Sequence, residues 1–195
     1  EEDPIVLSGV PIGRSRRDAT TPRVFMSHVD LAVTETGDAN VTISATETFH
    51  AMSTEVRLLW LSLYNERRLR EGFEMKRLSF PLRLRGVYDE EGKPVAFRHA
   101  RDSVLVGLET PLKPGTPRTL RFEMEGPILY RLGGDNYWAL DDEEWFPQPS
   151  WGAKHYTVRA VVRVKQPFTP LASGTTIRRI VDGDFNVLET RSDKP

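Results

Sequence analysis

The four histidines, His28, His50, His99 and His155, are the first residues to test for chemistry. A helix carrying His-Glu-x-x-His places two imidazoles on one metal, and no two of these histidines stand four residues apart. A zinc site would need ligands from distant strands. The neighbours of each histidine are ordinary strand residues, so hydrogen-bonded or exposed structural histidines are expected and no metal is predicted in this chain. With no cysteine there is neither a thiolate zinc site nor a disulfide framework. Ser173-Gly174 lacks the first glycine of a Gly-x-Ser-x-Gly turn and lies where a strand ends. Gly133-Gly134 is followed by Asp135-Asn136, without the lysine and helix of a phosphate cradle. The run Asp141-Asp142-Glu143-Glu144 lacks the alternating spacing that turns several oxygens toward one calcium, and reads as solvated loop charge. No catalytic residue is assigned.

One segment differs in kind. Tyr137-Trp138 and Trp145-Phe146-Pro147-Gln148-Pro149-Ser150-Trp151 gather three of the four tryptophans into a loop-like stretch bounded by prolines. Large rings there either plug one end of a core or form a contact face for sugar, peptide or a neighbouring domain.

The elements that must position these residues are strands. Phe25, Val29, Leu31 and Val33 alternate on one face, and beyond the turn from Thr36 to Asn40 the set Val41, Ile43, Ala45 and Phe49 repeats the pattern, predicting a hairpin with one buried face. Val56, Leu58, Trp60 and Tyr64 alternate with Leu59, Leu61 and Leu63, which predicts a strand covered on both sides. Glu66 to Lys76 is charged, with Leu69, Phe73 and Met75 loosely spaced, and is read as a loop. Further alternation runs through Leu82 to Tyr88, Val95 and Phe97, Val104 to Leu108, and Leu120 to Met124, with turns at Gly92 and Pro114-Gly115. Tyr156, Val158, Ala160, Val162 and Val164 mark a half-buried strand, and a last hairpin turns at Asp182-Gly183-Asp184. Strands spaced about every ten residues without intervening helices predict an all-β, two-sheet sandwich or saddle-like domain. Residues 1–22 read as a tail or edge segment and 23–195 as the β-domain.

Composition narrows the partners. At 38% hydrophobic, 28% charged and a formal net charge of -1, the chain lacks the basic excess of a nucleic-acid binder. No apolar run reaches the roughly 18 to 20 residues of a membrane span.

The run from Trp145 to Val158 is similar to the Phe-Pro-x-x-Asp-Glu-Pro-x-x-Lys-x-x-Phe region that closes the N-terminal domain of M1-class zinc aminopeptidases. In that family the following strand ends in a proline and an Ala-Leu-Ser-Asn-like turn; here Val164-Lys165-Gln166-Pro167 is followed by Leu171-Ala172-Ser173-Gly174. The opening hairpin, the Leu58 to Leu63 strand, the Val87 to Val95 unit and the Pro111 to Gly115 turn also resemble that domain, so the likeness covers residues 23–190.

The resemblance implies a non-catalytic N-terminal domain that packs on a downstream catalytic domain of the same protein and helps shape its substrate cleft. The zinc, the catalytic glutamate and a Gly-x-Met-x-Asn strand would lie in that other domain; none occurs here. In the family a glutamine-containing stretch upstream of Phe-Pro helps hold the free amino end of a peptide substrate. The matching stretch is Asn136-Tyr137-Trp138, without glutamine, and Pro149-Ser150-Trp151 stands in place of Asp-Glu-Pro. These departures leave open an active parent and an inactive relative. The candidate contact residues are Asn136, Tyr137, Trp138, Trp145, Phe146, Gln148 and Trp151. The alternative is a free-standing β-sandwich module binding carbohydrate or a protein through the same aromatic loop. The chain starts at Glu1 without a leader, as after removal of a signal segment or excision from a longer protein, and a periplasmic or extracellular setting is expected ahead of a cytoplasmic one.

Overall fold

Alternating apolar residues bury one face of a strand and leave the other wet, and this pattern organises the whole chain. The computed structural model describes residues 24–37, 40–63, 66–71, 74–79, 82–100, 102–133, 136–139, 145–149 and 155–193. The acidic run 141–144 and the segment 1–22 lie outside the described residues. The strands are β1 (Val24–Gly37), β2 (Asn40–Ala51), β3 (Val56–Ser62), β4 (Glu66–Glu71), β5 (Glu74–Ser79), β6 (Arg83–Tyr88), β7 (Phe97–Ala100) and β8 (Ser103–Leu112). They continue with β9 (Arg118–Pro127), β10 (Leu129–Gly133), β11 (Asn136–Ala139), β12 (Gln148–Pro149), β13 (Thr157–Lys165), β14 (Thr175–Asp182) and β15 (Phe185–Ser192). Among the described residues no helix is long and apolar enough to cross a membrane.

A large sheet has the order β14-β15-β13-β1-β2-β9-β6 and a small one the order β12-β3-β8-β7, while β4–β5 and β10–β11 are separate two-stranded hairpins. β1 runs parallel to β13 and antiparallel to β2. The chain passes from the large to the small sheet after β2 and again after β6. There Asp89 Oδ1 accepts from the backbone N–H groups of Glu91 (3.0 Å) and Lys93 (2.8 Å), and Gly92 takes the positive φ of 79° that the turn needs. Between the sheets Ile43, Ala45 and Phe49 of β2 and Leu120, Phe122 and Met124 of β9 join Leu59 and Leu61 of β3 and Val104 and Val106 of β8 in one core. Phe49 and Phe122 meet edge to face at 6.2 Å. Val158 and Ala160 of β13 are only partly buried against it.

Three expectations are corrected. A register shift between Met26 and His28 changes side-chain parity, so Met26 is buried and Phe25 turns outward, where it stacks on His50 at 4.7 Å. Glu66 to Lys76 is not a loop but forms β4 and the start of β5, in register from Glu66↔Ser79 to Glu71↔Glu74. Helix propensity and loose apolar spacing are weak signals against a ladder that pairs the backbone groups of both strands. β3 is covered on one face only: Leu59 and Leu61 are buried, whereas Leu58 is 44% and Trp60 64% exposed. Leucines on both faces signal two-sided burial only where a further layer covers the second face, and no described element does so.

Candidate functional site

The aromatic segment approaches the edge of the small sheet through β12, where Gln148 lies opposite Ser62 and Pro149 opposite Leu61 of β3. Proline donates no backbone hydrogen bond and so suits an edge strand. Phe146 is 4% exposed and sits edge-on to Trp145, at 5.1 Å, and to Tyr156, at 6.2 Å. Pro147 and Gln148 are buried beside it, and Trp145 packs half-buried on the core. Phe146, Pro147 and Gln148 therefore plug the sandwich, leaving Trp145 as the ring that also meets solvent. Tyr137 and Trp138 are not in a loop: β11 pairs with β10 through Asn136↔Gly133, Tyr137↔Arg131 and Trp138↔Tyr130. Gly133, of the glycine pair that lacks a phosphate-cradle context, ends β10 opposite Asn136, and Gly134 lies outside the described residues. Trp151 lies outside the described residues. Of the candidate set, Trp145, Phe146 and Gln148 share one segment, and Asn136, Tyr137 and Trp138 are carried on a separate hairpin.

Sequence reading missed a buried acid. Glu47 continues the inward series Val41, Ile43 and Ala45 on β2, is fully buried, and neither carboxylate oxygen has a hydrogen-bond partner. Burial pushes its carboxyl well above the usual 4.5. The signal was present as an acid at inward parity between Ala45 and Phe49. The Oε1 atom of Gln148 is likewise buried without a partner.

On the outer face of the large sheet, Glu189 is 4% exposed and accepts from Arg159 Nε and Arg178 Nε, each at 2.8 Å. It forms the floor of a concavity of about 490 Å³ lined also by His28, Thr157, Arg159, Arg191 and Asp193. His28 Nδ1 lies 2.6 Å from Thr157 Oγ1 and its Nε2 lies 3.3 Å from Asp30 Oδ2, while Arg191 pairs with Asp193. The charges around this groove are thus matched within the protein. Among the described residues no group of three or more His, Asp or Glu side chains could hold a metal ion.

No protein-family model and no curated protein sequence matches the chain. Solved structures do. The M1 zinc metallopeptidase from Deinococcus radiodurans superposes with a TM-score of 0.68 at 19% identity, over 88% of this chain and 39% of that one. A two-domain M1 zinc metallopeptidase mutant bound to L-tryptophan gives a TM-score of 0.69 at 17% identity, over 89% and 40%. The fold is that of the N-terminal β-domain of M1 zinc metallopeptidases.

The likeness read from the Trp145 to Gly174 region thus holds at the level of fold, and the chain spans about two fifths of the length of those M1 chains. Within this M1 N-terminal fold the Glu189 cluster ties β13, β15 and β14 together. The hydrogen bond from Arg159, aided by the charges of Arg159 and Arg178, holds the Glu189 carboxyl below the usual 4.5. A lowered carboxyl contributes stability that is present above the unfolded range near 4.5 and lost as pH falls through the folded value. Glu189→Gln should therefore lower the melting temperature at pH 7, with the gap to wild type closing in acid. Thermal melts at both pH values check this, and a gap independent of pH would contradict it.

Proposed function

We propose that the chain is a non-catalytic N-terminal domain of an M1-like zinc metallopeptidase, packing on a downstream catalytic domain and helping shape its substrate cleft. The observation that carries this reading is the match of nearly the whole chain to only 39–40% of the M1 structures. Catalytic zinc takes three protein ligands and leaves one position open. This reading places the zinc and its ligands in the downstream domain. Trp145, half-buried at the edge of the small sheet, and the β10–β11 hairpin bearing Asn136, Tyr137 and Trp138 are the elements proposed to border the cleft. A free-standing carbohydrate or protein module has less support, because Phe146 and Gln148 of its aromatic loop are spent in the core.

The test is made on the natural polypeptide that carries this domain. It should bind about one zinc per chain and cleave peptides, and Trp145→Ala should raise KM without lowering zinc content. A polypeptide that binds no zinc sinks the reading.

A further inference from the structure

The two outward faces of the sandwich differ in chemistry. Along β2 and β9 the outward positions of the large sheet are hydroxyls and ion pairs that satisfy one another: Ser44 donates to Glu123 at 3.1 Å, Arg121 pairs with Glu123 at 3.0 Å, and Thr48 meets Thr119 at 3.3 Å. The outward face of the small sheet has an apolar centre, edged by Ser103 and by Arg98 of β7, which lies opposite Leu105. Leu58 and Trp60 of β3, 44% and 64% exposed, lie opposite Gly107 and Leu105 of β8. Directly opposed residues on neighbouring strands share a face, so these four form one continuous surface. Trp60 Nε1 donates to Ser103 Oγ at 3.3 Å, within the same sheet. The one polar atom of the indole is therefore satisfied internally, and covering the ring with an apolar partner strands no donor. Gly107, without a side chain, leaves a shelf beside Leu58 that a protruding partner group can occupy. Arg57, paired with Glu55 at 3.3 Å, and exposed Arg98 stand nearby as a polar rim.

We infer that this Leu58, Trp60 and Leu105 face is the surface on which the downstream metallopeptidase domain packs. The inference rests on the domain reading above. In the structures that share this fold the remaining three fifths or so of the chain belongs to the rest of a metallopeptidase described in one case as two-domain, and that part is the occupant. Interfaces between domains of one chain bury roughly 600–1,500 Å² and are built around an apolar centre. On the large sheet, exposed Phe25 is stacked on His50 and exposed Ile177 lies beside the paired Glu189 and Arg159, whereas on the small sheet Leu58, Trp60 and Leu105 are contiguous and form such a centre. The same sheet also continues into β12 and from there into Trp145, so the docking face runs toward the segment proposed to border the cleft.

Gly107 provides the test. A Cβ added there meets only the Ala96 backbone oxygen, at 3.8 Å, so Gly107→Lys leaves the sandwich intact while setting a charge beside Leu58. The 195-residue chain bearing it should melt like wild type. Hydroxyl-radical footprinting of the natural polypeptide should find Trp60 strongly protected relative to the 195-residue chain, and Gly107→Lys should abolish that protection and split one melting transition into two. Equal oxidation of Trp60 in both, in a polypeptide that does bind zinc, overturns the docking face and leaves the domain reading standing. A natural polypeptide without a zinc-binding part overturns both.

Discussion

Glu47→Leu should stabilise the domain by about 1–3 kcal/mol, the cost of a buried polar group left without a hydrogen-bond partner. Glu47 is fully buried, its two oxygens have no partner, and its neighbours across the ladders are Val29 and Leu120. Leucine keeps the bulk, removes two orphan acceptors, and joins a core already lined by Leu120, Phe49 and Ile43. The pH dependence separates this cause from simple packing. Burial raises the folded carboxyl well above 4.5, so the folded state keeps its proton where the unfolded chain has lost it. The Glu47 contribution is therefore full below about pH 4.5 and declines as pH rises from there toward the folded value, by up to about 1.4 kcal/mol per pH unit. Glu47→Gln, which cannot ionise, should lose this decline. Urea midpoints of wild type and both variants between pH 4 and pH 8 measure it, on a scale of roughly 1–3 kcal/mol per molar urea. Parallel profiles for wild type and Glu47→Gln would mean that the acid is not held neutral.

Phe146→Ala should cost about 3–5 kcal/mol, the usual loss for a buried phenylalanine. The ring is 4% exposed and touches Trp145 and Tyr156 by their edges, so its removal opens a cavity at the end of the sandwich where β12 joins β3. Trp145 loses the ring against which it stands, and its emission should shift to the red. A residue whose business is contact with a partner behaves otherwise, since surface truncations usually change stability by no more than about 0.5 kcal/mol. A denaturation midpoint unchanged by the substitution would return Phe146 to the contact surface.

The candidate site was legible only in part. The crowding of tryptophans before Tyr156 marked the segment, and the likeness to M1 domains lay in the same residues. Whether a ring there points inward or outward depends on β12 pairing with β3, residues far apart in the chain, and no local pattern reports it. Glu189 shows the same limit. As one acid among many in a charged strand it carried no signal, and it acquires its role only when β13 and β14 flank β15 and bring Arg159 and Arg178 to its two oxygens.

Side-chain period was enough for the strands that bury one face. The inward sets Val41, Ile43, Ala45 and Phe49, Val104, Val106 and Leu108, and Leu120, Phe122 and Met124 are all buried as their alternation implies, and Gly92 and Gly183 turn where their neighbours require positive φ. A two-residue period is a local property, and each strand displays it before meeting its partners. Tertiary structure decided what that period leaves undefined. The shift between Met26 and His28 moved Phe25 to the other face, and the pairing of β4 with β5 drew a charged stretch into a ladder. The two-layer stacking left Leu58 and Trp60 uncovered. Register, strand order and the number of layers are settled by contacts between distant segments. For that reason the sequence by itself determined an all-β, two-sheet domain, and only the assembled sheets decided which of its apolar residues form the core and which remain as a surface.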